Sequence, residues 1–313
     1  MRTPIALMRA DRSVSRAACV ALLAAAWSGT PGHAQAGEAS PLLDYAVGLR
    51  FDSMPDPEEY RGRAAAAERE LERGMPPASG CSSTLGAARY AAIYGRIGSA
   101  HSDLDDNAAA AAAFRGAVAC SPRDASLHGS LCTALLNLGR DADARGAGLR
   151  GLVIDARNYA SNACLAELDY SHEDWRGAEQ RFRALIELAR DDESAAYWQI
   201  RLWLAQARAG VTHPQLVRRE PAPGWPRPIL DLLRGGREQD VLRWLRDHDD
   251  GDTRLRERLC EALYYTGQWR LALDDEAGAR RYFAAAINLK VTYFVEYGLA
   301  RQALRKLGPK RGA

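Results

Sequence analysis

The sequence predicts an all-α fold: a solenoid of paired helices closed at its end by a single helix. Three observations carry this. Alanine is abundant, while only 5 of 313 residues are Phe and β-branched enrichment is weak, which disfavours strands. Ala110, Ala144 and Ala178 recur at intervals of 34 residues, the period of stacked helix pairs. Between the helical stretches lie start and stop signals, such as Asp56-Pro57-Glu58-Glu59 with a cap, a proline at the first helical position and acid in the first turn.

Residues 1–36 read as an export signal. Arg2, Arg9, Arg12 and Arg16 precede an uncharged apolar run from Ala17 to Trp27, and Ala34-Gln35-Ala36 supplies a small-x-small cleavage site. The run is too short for a membrane-spanning helix, and no stretch of 18 apolar residues free of charge occurs elsewhere. No Arg-Arg pair precedes the run, which favours general secretion. Cys19 sits at its start, where a lipid-attachment cysteine does not belong. The expectation is a soluble periplasmic protein that begins near Gly37. Removing four arginines and one aspartate takes the net charge from +2 to −1, so neither nucleic acid nor anionic lipid is an expected partner.

Residues 37–80 are expected to hold one or two helices, ended by Gly74-Met75-Pro76-Pro77. Three repeat units are expected over 81–192. From Ala91, the first places Tyr94, Ile97, Gly98, Ala110, Phe114, Ala117 and Pro122 in the W-x₂-L-G…A-x₃-F…P slots of a tetratricopeptide unit. Small residues let the two helices approach, large ones fill the space between pairs, and Pro122 ends the unit. Asn107 is expected to cap its second helix. The second unit, 125–158, keeps Leu131 and Ala144 but has Gly148 where the aromatic belongs, with Leu149 expected to fill in. The third, 159–192, keeps Leu165, Ala166, Ala178 and Phe182. Residues 193–259 are expected to be a helical linker region: one helix over 193–209, a proline-rich stretch to Pro228, then two short helices around Gly235-Gly236. A last unit with Leu263, Gly267, Ala279, Phe283 and Ala286, then a capping helix over 292–307, complete a C-terminal segment 260–313.

Export permits disulfides. Cys81 and Cys120 stand at the same end of two antiparallel helices and are the best placed pair among Cys81, Cys120, Cys132, Cys164 and Cys260. Their spacings match no zinc pattern, the histidines form no helical pair, and the acidic turns around Asp103 and Asp249 lack the alternation of a calcium loop. Gly146 to Gly151 matches G-x-G-x-x-G but falls inside a helix rather than after a strand. No catalytic residues, metal or cofactor are expected.

The C-terminal half resembles the NlpI family of bacterial envelope lipoproteins. The residues that carry the resemblance are Tyr197-Trp198 to Ala205, Trp225, Ile229 to Gly235, Glu261, Tyr264, Tyr265, Gly267, Phe283 and Phe294 to Ala300. The resemblance implies an all-α, homodimeric adaptor that brings murein hydrolases together with each other or with a processing protease, and no catalytic residue to carry over. This chain departs from the family in lacking the lipid-attachment cysteine.

In a tetratricopeptide array one face of each first helix lines a concave groove suited to a peptide. The slots are Ala92, Gly95, Ser99, Ser102 and Asp103; Ser126, Gly129, Thr133, Leu136 and Asn137; and Ala160, Ala163, Glu167, Tyr170 and Ser171. Tyr170 is the expected anchor, with Asp103 and Glu167 setting charge preference. The expected function is non-enzymatic binding of other envelope proteins in this groove, with the 193–250 segment as the other available surface. A structural subunit of an envelope or polysaccharide-export complex is the alternative, ahead of an enzyme with an unrecognised site.

Overall fold

The computed structural model of the chain describes residues 40–49, 57–74, 81, 84–216, 224–248 and 251–308. The leader and its cleavage site lie outside these residues, as do Pro221, Pro223, Asp249 and Asp250. The described residues form fourteen helices and no strand.

Two N-terminal helices, α1 (Pro41–Gly48) and α2 (Pro57–Gly74), precede three helical hairpins. These are α3 (Thr84–Asp103) with α4 (Asn107–Cys120), α5 (Ala125–Asn137) with α6 (Asp141–Ile154), and α7 (Tyr159–Ser171) with α8 (Trp175–Leu188). Then come α9 (Asp192–Arg208), α10 (Arg227–Leu233) and α11 (Glu238–Asp247). A fourth hairpin, α12 (Asp252–Ala272) with α13 (Glu276–Asn288), is followed by α14 (Val295–Leu307). Among the described residues, no helix is long and apolar enough to cross a membrane.

All four hairpins turn the same way. Asp105, Gly139, Glu173 and Asp274 take φ of 61°, 76°, 61° and 59°. In each case the next N–H bonds back five residues at 2.9 Å: Asp106 to His101, Arg140 to Leu135, Asp174 to Asp169 and Asp275 to Arg270. Only at 139 does a glycine relieve the left-handed backbone. The residue that follows the turn is the helix cap: the carboxylates of Asp106, Asp174 and Asp275 accept the N–H groups of Ala109, Gly177 and Gly278. Asn107 is therefore not the cap expected from sequence; Asp106 is, one residue earlier, and Arg140 makes no side-chain cap.

The first and fourth hairpins close on a glycine facing an aromatic ring. A Cβ at Gly98 would stand 2.7 Å from Phe114 Cε1, and one at Gly267 2.6 Å from Phe283 Cε1. The second hairpin reverses the sizes. Gly148 holds the aromatic position and faces Leu165 and the sulfur of Cys132, where a Cβ would come within 2.8 Å and 3.0 Å. Cys132 is bonded to Cys164, with Cα atoms 6.1 Å apart, so a disulfide fills the space expected of Leu149, which turns outward at 45% exposure. Cys81 is bonded to Cys120 across the first hairpin, Cα to Cα 4.7 Å.

Two boundaries differ from expectation. Helix α3 begins at Thr84, ahead of the unit start at Ala91, and α12 begins at Asp252, so residue 260 falls inside a helix. Residues 193–259 are also more than a linker. Ile200, Leu204, Ile229, Leu233, Val241 and Leu245 are buried in the larger of the molecule's cores, beside α12, α13 and α14.

That larger core takes Ala166 and Tyr170 from α7, while Cys164, Leu165 and Leu168 of the same helix belong to a second core shared with α4, α5 and α6. Helix α7 thus presents one side to each. Helix α1 joins the C-terminal body through Leu42 and Leu43, and Ser40 donates to Glu238 at 2.6 Å. Helix α2 packs Ala67 against Ile93 and Ile97 of α3.

Candidate functional site

The expected groove is part open and part filled by the chain itself. Ser99 on α3 and Thr133 on α5 are exposed, as are Ala92 and Ser126 on the same helices, and Ala163 is half-buried. Further along these helices the C-terminal segment covers the surface. Thr292 donates to the Asp103 carbonyl at 2.8 Å, beside half-buried Ser102. Arg305 donates to the carbonyl of Asn137 at 2.7 Å and to that of Leu136 at 3.4 Å, and Gln302 to the Asn137 side chain at 2.7 Å. Lys306 reaches the Ser171 carbonyl at 3.0 Å and its Oγ at 2.9 Å. The ends of α3, α5 and α7 are thus met in turn by one segment. Cations at helix C-termini are favourably placed against the helix dipole.

Leu136, Glu167 and Tyr170, expected in the groove, are buried instead. Leu136 is buried in the second core, with Leu131, Leu135, Leu165 and Leu168. Tyr170 is 6% exposed and Glu167 8%, because the C-terminal body packs onto α7 where an open solenoid would leave it free. The Tyr170 hydroxyl donates to Gln268 at 3.1 Å, its ring meets Trp175 edge-on at 5.3 Å, and burial pushes its pKa up to about 12. It is a core residue, not an anchor for a partner.

Glu167 belongs to an interior polar cluster that sequence reasoning missed. It pairs with Arg201, which is 2% exposed and also donates to Tyr264 at 2.7 Å. Glu261 accepts from Tyr197 at 2.9 Å and from the Trp225 indole, and Glu296 accepts from Tyr265 at 3.0 Å. Arg201 thus pairs with Glu167 and lies in the field of Glu296, which in turn acts on Glu261. Burial, reinforced by the neighbouring Glu296, lifts Glu261 well above the usual carboxylate range; burial lifts Glu296 too, against the pull of Arg201. The signal in the sequence is Glu261 itself, between Cys260 and Ala262 on a helix buried nearly all round.

Raised carboxylates are a mark of catalytic sites, but here Glu261 and Glu296 are held by aromatic donors and Glu167 by Arg201. Ser171 and Lys306 make a second contact of catalytic type. The Ser171 hydroxyl donates to the Leu168 carbonyl at 2.9 Å while the ammonium donates to Ser171, the reverse of the proton transfer a serine nucleophile needs. Among the described residues no three His, Cys, Asp or Glu side chains converge as a metal site would require. The open depression between α1 and α11, about 800 Å³, is lined by Tyr45, Leu49, Leu242, Arg243 and Arg246 and holds no nucleophile with a base.

On the outer side, Leu149, Val153 and Ile154 at the end of α6 and Tyr159 at the start of α7 are exposed, Val153 at 88%. No protein-family model matches the chain, and no curated protein matches it.

Proposed function

We propose that this protein is an exported, non-enzymatic adaptor of tetratricopeptide type, which binds a segment of another envelope protein along the open stretch of its groove. The observation that carries the reading is the register of the four hairpins: one turn geometry at 105, 139, 173 and 274, with the glycine–aromatic contact of 98 and 114 repeated at 267 and 283. Repeats of this kind build extended binding faces rather than closed active sites. Ser99, Thr133, Ala92 and Ser126 give the open stretch a small, polar surface suited to a peptide main chain. The leader and the disulfides are consistent with an oxidising compartment. Murein hydrolases, or a protease that processes them, are the partner class implied by the C-terminal resemblance, and a homodimer is its expected form.

The test is capture from envelope extracts with Ser99→Arg and Thr133→Arg introduced together. Both positions are exposed, so the fold is expected to survive, and capture should fall at least about tenfold, the equivalent of 1.4 kcal/mol. Unchanged capture moves the binding face elsewhere. A purified hydrolytic activity with no captured partner removes the adaptor reading.

One observation favours the structural-subunit reading as a second choice. The exposed apolar side chains Leu149, Val153, Ile154 and Tyr159, close in sequence, suit a permanent neighbour. Stoichiometric recovery in a membrane complex, lost on Val153→Asp, would select it.

A further inference from the structure

We propose that the contact between the C-terminal segment and the ends of α3, α5 and α7 is a salt-sensitive latch, which holds two rigid bodies closed across the groove and opens about α7. The apolar residues of α14 define the division. Tyr297, Leu299 and Ala300 are buried in the larger core, and Leu304 and Leu307 pack against it; none joins the core of the first two hairpins. Across the seam the contacts are polar. They are Thr292 to the Asp103 carbonyl, Arg301 to the Asp105 carboxylate, Gln302 to Asn137, Arg305 to two carbonyls, and Lys306 to Ser171 with Asp141 at 3.6 Å. Tyr60 of α2 stacks on Tyr293 at 5.7 Å and is the aromatic member of the same seam.

A seam of this composition loses little when it opens. Its donors and acceptors exchange one another for water, which costs far less than exposing apolar surface. Its ion pairs are partly exposed, at 39% and 16% for Arg301 with Asp105 and 36% and 28% for Lys306 with Asp141, so salt screens them. Besides the chain that joins α1 to α2, the packed connection that remains is α7, which has one side in each core and is therefore placed as the axis of opening. Opening would uncover Asn137 and the ends of α3 and α5, lengthening the face that Ser99 and Thr133 begin. What the longer face would hold rests on the adaptor reading; the opening itself does not.

The experiment is a distance measurement between spin labels at Thr133→Cys on α5 and Val295→Cys on α14. Both positions are exposed, and neither side chain takes part in the seam contacts named above. Raising salt from about 20 mM to about 500 mM should broaden the distribution and lengthen its mean by at least about 5 Å. Arg305→Gln with Lys306→Gln should produce the same distribution already at low salt, with circular dichroism unchanged. A single narrow distribution, insensitive to salt and to both substitutions, would overturn the latch without touching the adaptor reading, which the capture experiment tests separately.

Discussion

Tyr170 on α7 and Gln268 on α12 share a hydrogen bond of 3.1 Å across 98 residues of sequence. It ties the third hairpin to the fourth and removes from the groove the side chain that looks, on sequence alone, most like an anchor. Gln268 in turn donates to Tyr264, which receives Arg201, the partner of Glu167.

Tyr170 should therefore behave as a core residue. Tyr170→Phe leaves the Gln268 oxygen without its donor and should cost about 1–2 kcal/mol. Tyr170→Ala should cost about 3–5 kcal/mol through the cavity it leaves. Urea denaturation of both variants checks this; a neutral Tyr170→Ala would return the side chain to the surface.

The register of the hairpins was legible in the sequence, and the closure of the chain on itself was not. Small and aromatic residues at 98, 114, 267 and 283 follow from the period, because each packs against its own hairpin. Tyr170 and Glu167 are different. Their burial depends on α12 and α9 arriving from far along the chain, and no local pattern encodes that. Gly148 shows an intermediate case. The missing aromatic was visible, but its replacement by Cys132 and Cys164 needed the spatial neighbour from the next hairpin. Glu261 and Glu296 are among the residues that carry the family resemblance, but nothing local marks them as buried, because an acid at a helical position reads as a solvated face unless the whole helix is known to be buried.

Replacing Cys132 and Cys164 together by alanine should lower stability by about 2–4 kcal/mol, since the bridge closes 32 residues of chain. The loss should be smaller than that of the wild-type protein under reducing conditions, which opens Cys81–Cys120 as well, as read from denaturation midpoints. No difference between oxidised and reduced protein would place the free energy elsewhere.

Stability should fall as the pH rises above the ordinary glutamate range. Glu261 has a folded-state pKa raised by burial, so its contribution is complete below the ordinary glutamate value near about 4.3 and is lost as the pH rises through the raised value. Glu261→Gln keeps a carbonyl for Tyr197 and Trp225 and should flatten the slope. Denaturation midpoints over about pH 5 to 9 decide it, and an unchanged slope in the variant would assign the loss to other groups.

Gly267→Val should destabilise the fourth hairpin by about 1–3 kcal/mol, because its side chain would enter the Phe283 ring. Combining it with Phe283→Leu should recover part of the loss. A double variant no better than the single one would contradict the direct contact.

The adaptor account is tested most directly by a photo-crosslinking residue at Thr133, introduced into the full chain in living cells. The account predicts one or a few discrete adducts with envelope proteins, formed also from Ser99 and abolished by Ser99→Arg. Adducts formed only from Val153 on the outer side, with none from Thr133 or Ser99, would contradict it.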